Sequence, residues 1–104
     1  MEKYKLTIRS AAYDDMQEIY NHIAHNLNEP VVAEKIHESI VTGIRSLAEL
    51  PLRQKLVNAE PYRSYGLRML RVKNNMIFYI VDQEKAEVHI VRVLYARREW
   101  QNFL

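Results

Sequence analysis

Residues 76–81 read Met-Ile-Phe-Tyr-Ile-Val, six apolar side chains in succession. Successive side chains on a strand point to opposite faces. A run this apolar therefore needs cover on both faces, as a central strand does. The flanks agree. Lys73-Asn74-Asn75 reads as a tight turn, because Asn tolerates left-handed backbone, and residues 82–85 read as a second turn. Ahead of them, residues 67–72 alternate Leu67, Met69 and Arg71 with Arg68, Leu70 and Val72. Behind them, residues 88–95 are rich in β-branched side chains, with Arg92 the one charge. Residues 66–100 thus predict three consecutive strands ending in a basic, aromatic corner.

The rest of the chain has to supply the packing. Tyr4, Leu6 and Ile8 alternate with polar residues, which predicts a half-buried strand. Ser10 is placed to cap a helix, and Asp14 and Asp15 follow in its first turns, where carboxylates complement exposed N–H groups. Met16, Ile19, Tyr20, Ile23, Ala24 and Leu27 form an apolar stripe over residues 11–27. Pro30 suits a first helical turn. A second stripe, Ala33, Ile36, Ile40, Ile44, Leu47 and Leu50, ends before Pro51. Gly43 inside it weakens the helix by about 1 kcal/mol relative to Ala. Residues 52–65 lack a period and form the longest connection. Residues 96–104 predict a short helix docked through Trp100, Phe103 and Leu104. The expectation is one α+β domain over residues 1–104, ordered β-α-α-β-β-β. Its helical hairpin packs on one face of an antiparallel sheet, and a short C-terminal helix closes it.

Several chemistries fall away on composition. With no cysteine among 104 residues, disulfides, thiolate metal sites and a cysteine nucleophile are excluded. Two glycines leave no room for a Gly-rich phosphate loop. No stretch approaches the roughly 20 apolar residues of a membrane span, and no signal-peptide pattern is present, so a cytoplasmic location is expected. Charge is asymmetric. Residues 1–50 hold five bases against eight acids, a net −3, and residues 51–104 hold ten bases against five acids, a net +5. A basic half favours a polyanion or an acidic partner over a merely solvated surface.

Arg53, Lys55, Arg63, Arg68, Arg71, Lys73, Arg92, Arg97 and Arg98 carry that charge, with Tyr62, Tyr65, Tyr79 and Tyr95 among them. Guanidinium groups bind phosphate through paired donors, and rings stack on splayed bases. The set suits RNA binding, or metal-free RNA cleavage in which arginines stabilise a phosphorane. It equally suits a groove for an acidic segment, and Tyr79 and Tyr95 equally suit a core. His22 and His25 have chelating spacing but no third ligand nearby, so an exposed helix face accounts for them and no metal or cofactor is expected. His37 falls beside the second stripe and is expected to be partly buried. His89 on the last strand is a candidate base. Helix-start electrostatics accounts for Asp14, Asp15 and Glu18.

The segments Leu-Arg-Met-Leu-Arg-Val-Lys-Asn-Asn-Met-Ile-Phe-Tyr-Ile-Val-Asp and Val-His-Ile-Val-Arg-Val-Leu-Tyr-Ala-Arg-Arg-Glu-Trp resemble the RelE/ParE superfamily of type II toxin–antitoxin toxins. The ending Arg-Val-Leu-Tyr-x-Arg-Arg-x-Trp is similar to its ParE-like, plasmid-stabilisation branch. Arg63, Gly66, Leu67 and Arg68 match too, as does Asp15-Met16-x-x-Ile19-x-x-x-Ile23 with Pro30 at the hairpin turn. The resemblance spans essentially the whole chain. It implies a growth-inhibiting toxin neutralised by a cognate antitoxin, which alone would contact operator DNA. ParE-like members poison DNA gyrase. RelE-like members are mRNA interferases that cut messenger RNA on the ribosome. Under the cutting alternative Arg97 and Arg68 would be catalytic. Met76, however, stands where that branch has a central-strand arginine, and Phe103 where it has a tyrosine. The resemblance thus favours gyrase, with Arg63, Arg68, Arg71, Lys73, Arg92, Tyr95, Arg97, Arg98 and Trp100 as residues that bind target or antitoxin.

Overall fold

The computed structural model describes residues 3–96 and 99–104. Strand β1 (Lys5–Ile8) leads into helix α1 (Ser10–Asn21), which continues as a π-helical turn over His22–Asn26. Helix α2 (Pro30–Ser46) returns antiparallel to it, and β2 (Leu67–Val72), β3 (Asn75–Asp82) and β4 (Glu87–Tyr95) follow. The sheet order is β1-β4-β3-β2. The expected order of elements and the helical hairpin over the sheet are present. The sheet itself is mixed: β2, β3 and β4 are antiparallel, but β1 pairs with β4 in parallel, Lys5 against Glu87 through Ile8 against Ile90. Periodicity reports which face a side chain takes and is silent on the direction of pairing.

Both faces of β3 are covered, as its sequence requires. On the helix side Ile77 and Tyr79 pack with Ala12, Met16, Ile40, Ile44, Leu47, Val88, Ile90 and Val93. On the other side Met76 and Phe78 pack with Leu67 and Leu94 beneath Val57, Tyr62, Trp100 and Leu104. That second layer is made by the 52–65 connection and the closing segment, not by regular structure. Among the described residues of the closing segment, Trp100–Asn102 is helical, as one 3-10 turn. Trp100 and Leu104 dock as expected, whereas Phe103 is 37% exposed.

Local signals worked unevenly. Pro30 opens α2. Ser10 is the first residue of α1 and makes no capping hydrogen bond, so the helix begins behind Arg9. In the β2–β3 turn the left-handed residue is Lys73, at φ +54°, and not an asparagine. Gly43 has a packing reason: a β-carbon there would sit 2.6 Å from Val72 Cγ2 and 3.3 Å from Ile77 Cδ1. Its missing side chain lets α2 lie close on the sheet.

Candidate functional site: an aromatic–basic face and a groove joined by Arg92

Strand β1 pairs only with the first half of β4, Glu87–Ile90. On that edge the second half of β4 has no strand beside it among the described residues, and α1 packs there instead. A bulge at Val91 separates the Tyr79–Ile90 and Phe78–Arg92 pairs. Strict alternation from Val88 and Ile90 would have turned Arg92 into the helix-side core. The bulge redirects it, a common use of such irregularities.

Arg92 then reaches Asp15 of α1. Its Nε donates to Asp15 Oδ2 at 2.6 Å and its Nη2 to Oδ1 at 2.8 Å. The backbone N–H of Val93, on the uncovered edge of β4, also donates to Asp15 Oδ2, at 3.0 Å. Arg92 Nη1 donates to the Phe103 carbonyl of the closing segment. The hydrogen bonds to Asp15 raise the Arg92 pKa above its ordinary value, burial opposes them, and the charges of Asp15 and Glu18 assist. Paired, charge-assisted geometry of this kind is strong and directional. Asp15, in the second turn of α1 and buried, is thus an anchor for Arg92 and β4 and not a helix-start charge. Arg92, counted from sequence among the binding residues, is committed to internal partners.

Other members of the basic set are partly committed as well. Arg53 closes the end of α2: its Nη1 donates to the carbonyls of Ser46 and Glu49 at 3.1 and 2.8 Å, and its Nη2 to Ser46 Oγ at 2.8 Å. A cation at a helix C-terminus complements both the unpaired carbonyls and the dipole. Arg68 Nη1 donates to the Gln54 carbonyl at 2.5 Å, and Arg71 Nε to that of Lys73 at 3.1 Å. Arg63 and Lys73 are exposed. Arg97 and Arg98 lie outside the described residues.

The tyrosines divide. Tyr79 is fully buried and its hydroxyl donates to the Pro51 carbonyl at 2.7 Å. Burial raises its pKa above the usual value, against the nearby charges of Arg53 and Arg68. Tyr95 is 39% exposed at the end of β4. Tyr62 meets Tyr65 and Trp100 edge-on, and Trp100 lies over Phe78, with centroids 5.2 Å apart in the last two pairs. Tyr62 also donates to the Gln101 carbonyl at 3.2 Å. Tyr65, Tyr62, Trp100 and Phe78 therefore make a continuous aromatic row from surface to core, with the exposed Arg63 beside it. Sequence reasoning named Tyr62, Tyr65, Trp100 and Arg63 but not the row, because its members come from a connection, a strand and the closing segment.

On the opposite side lies an open groove of about 1080 Å³, which the sequence did not signal. Its floor is Ile19, Ile23, Ile36 and Val93, and its exposed rim carries Asp14, Glu18 and Glu29 with Leu27 and Val32. Asp15, Asn75 and Tyr95 also line it. The π-turn histidines His22 and His25 face it from an exposed surface, with His22 Nδ1 3.1 Å from the Asn26 side-chain amide. His37 is half-buried against the edge of Tyr20, and His89 lies 3.5 Å from Glu87. No group of three or more candidate metal ligands exists among the described residues. No described helix is long and apolar enough to cross a membrane.

Comparison with known proteins places this architecture. The chain is similar to a toxin of the chromosomal ParDE system from P. aeruginosa, with a TM-score of 0.74 and 22% identity over 91% of this chain and 98% of that one. It is similar to a chain of the RelBE2 toxin–antitoxin complex from Mycobacterium tuberculosis, at 0.66 and 22% over 91% and 93%. It is also similar to an arginine-to-alanine double mutant of the E. coli toxin RelE in the free state, at 0.60 and 15% over 91% and 85%. At these identities the likeness is one of fold. No curated protein matches by sequence. The family described as the ParE toxin of the type II toxin–antitoxin system parDE matches residues 6–100. With nearly the whole chain inside that match, this protein belongs to the ParE toxin family of type II toxin–antitoxin systems.

Proposed function

We propose that this toxin inhibits growth by binding a protein target, DNA gyrase, through its aromatic–basic face, and that it does not cut RNA. The observation that carries this reading is the state of Met76. It is 6% exposed on the central strand, packed with Phe78 and Leu94 under Trp100 and Leu104. A metal-free nuclease needs cations aimed at the phosphate as charge develops there. Here the middle of that sheet face is apolar and closed. Among the described residues, the row of Tyr62, Tyr65 and Trp100 lies outside it, with Arg63 and Arg71 exposed nearby. Aromatic and arginine side chains of this kind dominate protein–protein contact energies.

The second surface suits the cognate antitoxin. The groove between hairpin and sheet is apolar at its floor and acidic at its rim. It would take a segment that presents apolar side chains flanked by Lys or Arg. Repression of an operon would then be the antitoxin's task.

Expression of the chain alone from a tightly controlled promoter tests the reading. Stabilised gyrase–DNA cleavage complexes and a DNA-damage response are the expected outcome. Prompt translational arrest with codon-positioned cuts in messenger RNA, abolished by Arg97→Ala, would overturn it in favour of the ribosome-dependent endoribonuclease.

A further inference from the structure

The two surfaces share a physical link. Asp15 lines the groove. Its carboxylate holds Arg92 by two hydrogen bonds, and the same guanidinium holds the Phe103 carbonyl of the segment that covers the opposite sheet face. We propose that Asp15 is a positioning residue for residues 99–104, acting through Arg92, so that an occupant of the groove that draws Asp15 away from Arg92 loosens the cover on the aromatic face. The inference rests on the two-surface reading above and adds a coupling between its surfaces.

Three features make the link discrete. Arg92 is a planar fork with donors in fixed directions, so its bonds to Asp15 aim the remaining N–H at Phe103. Asp15 is 7% exposed and holds Arg92 and the Val93 N–H at once, so a shift of the carboxylate disturbs both. The closing segment has little regular structure of its own, a single 3-10 turn. Its position depends on what it touches: Phe78 and Tyr62 through Trp100, the Tyr62 hydroxyl through the Gln101 carbonyl, and Arg92 through the Phe103 carbonyl. A segment with little regular structure, fastened through side chains and carbonyls, lies toward the low end of local stability, where loss of one contact changes its population. The groove rim is acidic, so a partner's Lys or Arg approaching Asp14 and Glu18 would compete with Arg92 for Asp15. A ligand shifts such an equilibrium only as far as it distinguishes the two states.

Trp100 is the only tryptophan in the chain, so its fluorescence reports the cover directly. The test uses the intact protein with Asp15→Asn, which keeps the shape of the side chain and removes its charge. The expected result is a red-shifted Trp100 emission and at least a two-fold rise in acrylamide quenching, with helix content and urea m-value retained. Asp14→Asn, on the groove rim but away from Arg92, should leave both readouts unchanged. Should Asp15→Asn fail to fold, Arg92→Lys serves. It retains a cation for Asp15 but lacks the fork that reaches Phe103, and it should loosen Trp100 in the same way. A folded Asp15→Asn or Arg92→Lys protein with Trp100 emission and quenching like the parent would overturn the proposal. A loosening of equal size with Asp14→Asn would overturn it too. Neither readout needs target or antitoxin, so the coupling can fail while the toxin reading stands, and the reverse.

Discussion

At the scale of single residues, the structure separates cations and rings that look alike in sequence. Arg53, Arg68 and Arg92 each spend guanidinium donors on internal acceptors, while Arg63 and Lys73 face outward. Composition cannot make that distinction, because it depends on which carbonyls and carboxylates the fold delivers. Tyr79 and Tyr95 show the same limit: one is a core ring with a satisfied hydroxyl, the other lines the groove. Tyr79 yields a testable consequence. Its pKa is raised in the folded state, so the unfolded chain releases that phenolic proton first, at its ordinary value near 10. Above that pH the unfolded chain binds fewer protons, and stability falls as pH rises; below it the contribution of Tyr79 is complete. Tyr79→Phe should cost about 1–2 kcal/mol at pH 7, since the Pro51 carbonyl loses its donor. The variant should also lose less stability than the parent between pH 9.5 and roughly 11. Urea unfolding of both proteins across that range checks the sign.

At the scale of elements, the apolar run of β3, Pro30 and the two helical stripes, apart from their exposed last members Leu27 and Leu50, were legible because each is a local pattern with one physical meaning. The parallel pairing of β1, the bulge in β4 and the role of Gly43 were not, since each arises where distant segments meet. Gly43 is instructive. Helix propensity alone says that Ala should stabilise α2 by about 1 kcal/mol. The 2.6 Å approach of a β-carbon to Val72 says the opposite. Overpacking of this kind typically costs about 1–3 kcal/mol, and Val72 and Ile77 sit on a sheet that cannot easily retreat. Gly43→Ala is therefore expected to lower the melting temperature, and a scanning calorimetry trace with an unchanged or higher midpoint would contradict the packing argument.

At the scale of the whole molecule, one sheet face is roofed by a helical hairpin and the other by two irregular segments. The second roof holds less. Trp100 is half-buried, so Trp100→Ala should cost about 2 kcal/mol in denaturant unfolding, below the roughly 3–5 kcal/mol of a fully buried tryptophan. It should also open Phe78 and Met76 to an apolar dye. The candidate site was legible from sequence in its ingredients, arginines and rings in the second half of the chain, but not in its assembly. The roof over Met76 is built from residues remote from one another along the chain. The pairing of β1 with β4 has a consequence of another kind. Lys5 finds its partner at Glu87, 82 positions later. Closing so long a loop is entropically costly and slows folding. A chain emerging from the ribosome can form its helical hairpin early, but β1 has no strand to pair with until residues 87–90 have been made.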